Sequence, residues 1–208
     1  MRQGEKASYQ GYQVALFPMD YVYITQTSSP SSLSHCCGHP VDIIGSHAIY
    51  PMYAPCDCHR IATGTPAGGN YTIYASDDKV WTPKGLTYIT FEFGHDDNIP
   101  SKTRFKQGEL IAHTGTTPST SVTGDHCHLD QSNKQNARLV SYGITCSFGN
   151  LCYALENSTN VYDIFYLSGS ENVAYTHGYT FETWQDTPVG SSGFKWWMAR
   201  LLLERRRR

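Results

Sequence analysis

Residues 86–95, LTYITFEFGH, alternate with a period of two: Ile89, Phe91 and Phe93 fall on one side, Tyr88, Thr90 and Glu92 on the other. Successive side chains of a strand point to opposite faces, so this stretch predicts a half-buried antiparallel strand with its aromatic side against a core. Its neighbours carry the same signature. YTIYAS (71–76) alternates as strictly, and SDDKVWTPKG (76–85) reads as the connection between the two. Upstream, VALFPMDYVYIT (14–25) is apolar and β-branched, an entry strand that runs into the turn formers QTSSPSSLS (26–34). AIYPMYAPCDCHRIATG (48–64) is a strand candidate ending at Gly64, and FKQGELIAHTG (105–115) a short strand after a tight turn at Gly108. The expected class is therefore all-β: an antiparallel sheet core with long loops and few short helices.

Composition agrees. The 208 residues suffice for one domain with a real core; charged residues are only 16%, aromatics 13%, and tyrosine leads with 15 copies. A net charge of −2 argues against a broad nucleic-acid footprint. No stretch approaches the roughly 20 apolar residues of a membrane span. The first 13 residues lack the apolar segment of a secretory signal, so work outside a cell would need another route of delivery.

The seven cysteines stand at 36, 37, 56, 58, 127, 146 and 152. An odd number leaves at least one thiol unpaired within the chain, and neither CC nor CDC has the C-x-x-C spacing of a zinc knuckle. Most are expected to be buried apolar fillers, with a disulfide between the 36/37 and 56/58 pairs left open.

Histidine spacing carries more chemistry. In TGDHCHLD (123–130), residues two apart in a strand share a face, so His126 and His128 can converge while Cys127 turns away into the core. A catalytic zinc takes about three protein ligands and keeps a position open. Candidate partners are His35, His39 and Asp42 in SHCCGHPVDIIG (34–45), and His95 at the end of the patterned strand. No H-E-x-x-H motif occurs. His113 reads as a strand-edge residue, His47, His59 and His177 as surface or turn residues, and Asp96 and Asp97 as solvated turn carboxylates or groups that orient His95. A thiol hydrolase built on Cys127 is disfavoured, because that side chain faces away from both histidines.

The ordered set SH…D, YAP, YITFEFGH, FKQGELIAHTGTT and TGDHCHLD resembles the lysostaphin-type, or LytM-like, zinc metallopeptidases that cut the peptide part of bacterial peptidoglycan. The resemblance spans about residues 30–131. YAPCDCHRIA is similar to the family's Tyr-Ala-Pro stretch, FKQGELIAHTGTT to its glycine hairpin, and TGDHCHLD to its Thr-Gly-x-His-x-His motif. The long gap between first histidine and aspartate looks most like phage tail-associated and endolysin members. The resemblance implies a duplicated hybrid motif-like fold and a Zn2+ ion held by His35, Asp42 and His128, with His95 and His126 catalytic, one as base and one stabilising the transition state.

The departures are specific. The family's first histidine lies four residues before the aspartate, where this chain has Gly38; His35 lies seven before and His39 three, and His35 is preferred. Asp130 replaces a glutamate, and Cys58 stands where glycine is usual.

The expected layout is an N-terminal strand and loop over 1–30, the zinc peptidase domain over 31–165, and an aromatic extension with a basic tail over 166–208. The tail, FKWWMARLLLERRRR, reads as a contact for anionic surfaces, a docking segment for a larger particle, or a solvated end. The expected partner is a peptidoglycan peptide, with phage tail proteins as a further association, and the expected place of work is the cell wall or the virion. The competing reading is a non-catalytic member of the fold that binds peptidoglycan or a protein.

Overall fold

The computed structural model describes residues 1–32, 34–64, 70–117, 124–175 and 187–188. In chain order the strands are β1 (Ser8–Tyr9), β2 (Tyr12–Gln13), β3 (Tyr21–Thr27), β4 (Val41–Ile43), β5 (Pro51–Tyr53), β6 (Cys58–Gly64), β7 (Tyr71–Ser76), β8 (Val80–Thr82), β9 (Gly85–Thr87), β10 (Thr90–Gly94), β11 (Arg104–Phe105), β12 (Leu110–His113), β13 (Cys127–Ser132), β14 (Leu139–Thr145), β15 (Leu151–Leu155) and β16 (Asn172–Tyr175). Among the described residues there is one helix, of a single turn, α1 (Val161–Ile164), between β15 and β16. The all-β class expected from the alternation is the observed one.

Eight strands form the main sheet in the order β11-β6-β7-β10-β13-β4-β3-β16, antiparallel except for the parallel β16–β3 pair. Phe91, Phe93, Cys127 and Leu129 share its inner face and meet Phe17, Ile24, Ile43, Tyr74 and α1's Ile164 in the principal core. Tyr74 stacks on Phe91 at 5.7 Å between ring centroids, and Phe91 meets Phe93 at 5.3 Å. Each phenylalanine removed from water there stabilises the fold by about 1.5–3 kcal/mol.

Three local expectations change in the structure. Of LTYITFEFGH, read as one half-buried strand, Thr90–Gly94 form β10, and these are buried on both faces: Thr90 and Glu92 are as inaccessible as Phe91 and Phe93. β10 is an inner strand whose polar side lies beneath the β14–β15 hairpin. There Thr90 Oγ1 donates to the Lys134 carbonyl and accepts from the Ala137 amide, so the burial of that hydroxyl is compensated by hydrogen bonds. Next, the stretch over 48–64 is two strands, broken at Ala54-Pro55, where proline brings no N–H for a ladder. Lastly, the entry strand begins at Tyr21, after Pro18, while residues 14 and 16 make only isolated bridges to Trp81 and Tyr166.

The 36/37 to 56/58 disulfide that the sequence left open does not form. Cys36 is bonded to Cys146 and Cys37 to Cys152, while Cys56, Cys58 and Cys127 are buried free thiols. The reason is topological. Cys56 and Cys58 sit in the principal core, whereas Cys36 and Cys37 lie with Cys146, Cys152 and Ala154 in a separate small cluster between the 28–40 loop and the β14–β15 hairpin.

Candidate metal centre

Strand register assembles the first part of the site. Asp42 on β4 and His128 on β13 are direct Cα partners, so their side chains leave the same face of the sheet side by side. On the other flank of β13, Gly94 is the partner of His128. A Cβ at Gly94 would lie 3.0 Å from the His128 Cβ, so glycine leaves the room that the imidazole occupies.

His35 arrives from the 28–40 loop rather than from a strand. Its amide donates to Ser32 Oγ, its carbonyl accepts from the Ser29 amide, and its side chain is 3% exposed. His35 Nε2 lies 3.2 Å from Asp42 Oδ1 and 3.0 Å from His128 Nδ1, and His128 Nδ1 lies 3.6 Å from Asp42 Oδ1. These residues form one of two groups, among the described residues, with the donors and spacing to hold a metal ion; the other consists of sulfurs already in disulfides. Donors about 2.0–2.1 Å from a tetrahedral zinc stand about 3.3 Å apart, close to the three distances seen. Asp42 Oδ1 is buried and without a hydrogen-bond partner, facing His35, His128 and, at 3.7 Å, His126 Nε2. Two imidazoles and a carboxylate converging this way fit a zinc ion. His39 points elsewhere: it is exposed, and its amide donates to Ser158 Oγ.

Electrostatics follow from crowding bases around one carboxylate. Burial works against its charge, yet His35 and His128 hold the Asp42 carboxyl well below the usual carboxylate range. Burial alone would lower His128, but the neighbouring Asp42, Glu92 and Asp130 carboxylates push it up to about 9. Burial lowers His35 despite Asp42, so of the two facing nitrogens His128 carries the proton when no metal is there. Behind His128, Glu92 and Asp130 are Cα partners and both buried. Burial pushes Glu92 up to about 7, and it raises Asp130 although Ser158 Oγ and the Leu155 and Gln131 amides donate to that carboxylate.

His95 and His126 stand beside this group, their ring centroids 4.6 Å apart, with His95 6.2 Å from His128. His126 is tied by a two-way backbone bridge to Gly115. By alternation His95 would follow Phe93 and point into the core. Instead its backbone is left-handed (φ +74°), at a cost of about 1–2 kcal/mol, and the ring turns to the site. Burial and then the charges of His128 and His126 lower His95 to about 4. Nothing in the sequence pattern signals the left-handed turn.

Asp96 and Asp97, read from sequence as solvated turn carboxylates or groups that orient His95, do not bond the His95 ring. Asp96 is buried and accepts from the Asn98 and His113 amides; Asp97 accepts from the Thr116 amide and Thr117 hydroxyl. His113 is half-buried at the end of β12, His47 is exposed, and His59 is bonded to Asp77 at 2.7 Å. His177, the 195–208 tail and most of the 116–124 loop lie outside the described residues.

No protein-family model matches the chain. It is 33% identical over 190 residues to Morphogenesis protein 1 of Bacillus phage B103, covering 88% of this chain and 48% of that protein. The chain thus spans about half the length of the curated relative it matches. Among solved structures it is similar to a zinc containing peptidase from Vibrio cholerae, at 19% identity and a TM-score of 0.40, covering 72% of this chain and 44% of that one. It is also similar to a protein from Pseudomonas aeruginosa solved under the name of an M23 peptidase, at 20% identity and a TM-score of 0.40, over 63% and 48% of the two chains.

Proposed function

We propose that this chain is a zinc-dependent endopeptidase of the lysostaphin-type, LytM-like kind, hydrolysing cross-link or stem peptides of bacterial peptidoglycan on behalf of a phage. The observation that carries the reading is the convergence of His35 Nε2, His128 Nδ1 and Asp42 Oδ1 within 3.0–3.6 Å, with two further imidazoles beside them. The phage link rests on the likeness to Morphogenesis protein 1 of Bacillus phage B103.

His35, Asp42 and His128 are the residues that would hold the metal. A zinc ion bound there supplies Lewis acidity, polarising a peptide carbonyl and bringing water toward deprotonation near neutral pH. The chain's own groups do the rest. His95 Nδ1 and His126 Nδ1 each donate to a backbone carbonyl, of Thr117 and Gly124, both at 2.8 Å. A carbonyl can only accept, so each neutral ring keeps its proton on Nδ1 and presents Nε2 as the free nitrogen. One Nε2 takes the proton of the attacking water and, as the imidazolium so formed, returns it to the leaving amine; the other ring, when it enters the reaction protonated, donates an N–H to the oxyanion.

The test is metal analysis combined with wall digestion. Zinc near one per chain, with chelator-sensitive release of new amino termini from peptidoglycan, is the expected result, and mass spectrometry of the released muropeptides identifies the bond cut. His126→Ala is expected to keep its zinc and lose about 10²–10⁴-fold in hydrolysis. A zinc-loaded chain that binds walls of every cross-link type without releasing amino termini would leave the non-catalytic binding reading in its place.

A further inference from the structure

One short segment, 114–117, holds both free imidazoles. Gly115 makes the two-way bridge to His126, each N–H to O at 3.0 Å. Thr114 Oγ1 bonds to Asp125, the residue before His126. The Thr117 carbonyl accepts from His95 Nδ1, and the Thr117 amide donates back to the His95 carbonyl at 3.4 Å. Packing is close enough that a Cβ on Gly115 would meet the His95 carbonyl oxygen at 2.1 Å.

Asp97 determines where the end of this segment sits. Its Oδ1 accepts from the Thr116 amide at 3.1 Å and from Thr117 Oγ1 at 2.5 Å. The same Asp97 lies two residues beyond His95, in the turn that the left-handed His95 backbone opens. A loop is thereby closed: His95, Asp97, Thr117, and back to the His95 ring. Asp97 itself is exposed and contributes nothing to the core, so bonds to the backbone and hydroxyl of the next segment are what the structure shows it doing.

We infer that Asp97 is a positioning residue which, by clamping Thr116 and Thr117, holds the Thr117 carbonyl against His95 Nδ1 and so keeps the His95 imidazole in the Nδ1–H tautomer with Nε2 turned to the reaction space. The catalytic part of this inference rests on the proposed peptidase reading; the tautomer part does not. It resolves what the acidic pair after His95 does: Asp96 anchors the β12 end, and Asp97 orients the histidine through an intervening carbonyl rather than by touching the ring. A ring held by a carbonyl, not a carboxylate, gains orientation without a strong partner for its charged form.

Asp97→Asn and Asp97→Ala separate this from a structural role. Asparagine keeps the Oδ1 acceptor for both donors, whereas alanine removes it. The full chain, as purified and zinc-loaded, is examined by long-range proton–nitrogen NMR of the imidazoles and by initial rates of amino-terminus release from walls. The expected outcome for Asp97→Ala is a His95 ring exchanging between tautomers, unchanged zinc content, and kcat lowered about 10–100-fold with little change in KM, the size expected for a misplaced catalytic group. Asp97→Asn is expected to keep the Nδ1–H signature and stay within about threefold of the parent rate, since its acceptor geometry is preserved. Thr117→Val, which removes the hydroxyl donor alone, is expected to fall between them. An Asp97→Ala chain whose His95 keeps a single Nδ1–H tautomer, or whose rate matches the parent, overturns the inference. A parent chain with the expected tautomer and no hydrolytic activity overturns the peptidase reading while leaving the tautomer assignment standing.

Discussion

The two halves of the candidate metal cluster are supported in different ways. Asp42 and His128 are direct partners on adjacent inner strands, and their Cα positions are set by the same hydrogen-bond ladder that organises the core. His35 comes from a loop with no ladder of its own. It is held by local serine hydrogen bonds and by two disulfides, Cys36–Cys146 and Cys37–Cys152, that fasten the next two residues to the β14–β15 hairpin. A sheet places a side chain through register, at no cost beyond folding; a loop must be fastened. The contrast teaches that the same site has one side which fails only when the domain unfolds and another which can come loose alone.

The largest effect is expected from the sheet side. Asp42→Ala removes the carboxylate facing both imidazoles, and zinc affinity is expected to fall by more than the roughly 10–100-fold that loss of an outer partner costs. Equilibrium dialysis with zinc measures this, and an Asp42→Ala chain with parental affinity would show that the cluster is no metal site. On the loop side, Cys37→Ser with Cys152→Ser, or the same change at Cys36 and Cys146, is expected to cost about 2–5 kcal/mol in denaturant unfolding, because each bridge closes a sequence separation above 100 residues. Zinc affinity is expected to fall with it, by about 10–100-fold, since His35 behaves as a poorly held ligand. Unfolding that shifts while zinc affinity does not would show that the local serine bonds suffice.

The smallest effect is graded with pH. Metal-free His128, held up to about 9, gives the folded state an advantage that is fully present below its ordinary value near 6.5 and is lost as pH rises through 9. His95, lowered to about 4, works in the opposite direction, costing stability as pH falls from about 6.5 through 4. Zinc bound by His128 would displace that proton, so about one proton per zinc is expected to be released at pH 7, with affinity rising about tenfold per pH unit until it levels near pH 9. Titration calorimetry in buffers of different ionisation enthalpy counts that proton; uptake of zinc without release would place the proton elsewhere in the cluster.

Much of this site is legible in a single chain of letters because its sheet-borne members obey a two-residue period. The alternation of 86–95 implies a strand, and H-x-H in TGDHCHLD implies two side chains on one face with Cys127 inside, where it is found in the core. The loop-borne members are less so. Choosing between His35 and His39 depended on a resemblance, and only the folded loop shows His35 Nε2 against Asp42 while His39 faces solvent. The disulfide partners were illegible for the same reason: Cys146 and Cys152 are distant in sequence, and nothing local relates the β14–β15 hairpin to the 28–40 loop.

The period of two, set by backbone geometry, thus determined from sequence alone that the chain is all-β, which residues of its central strands face the core, and that His126 and His128 share a face. Tertiary structure decided everything that depends on which strands become neighbours. It buried both faces of β10, paired His128 with Asp42 and Glu92 with Asp130, turned His95 out of the core through a left-handed backbone, and brought Asp97 to the segment that holds the His95 ring. Alternation is a property of neighbouring residues, whereas register and loop closure are properties of distant ones, selected by the free energy of the whole fold.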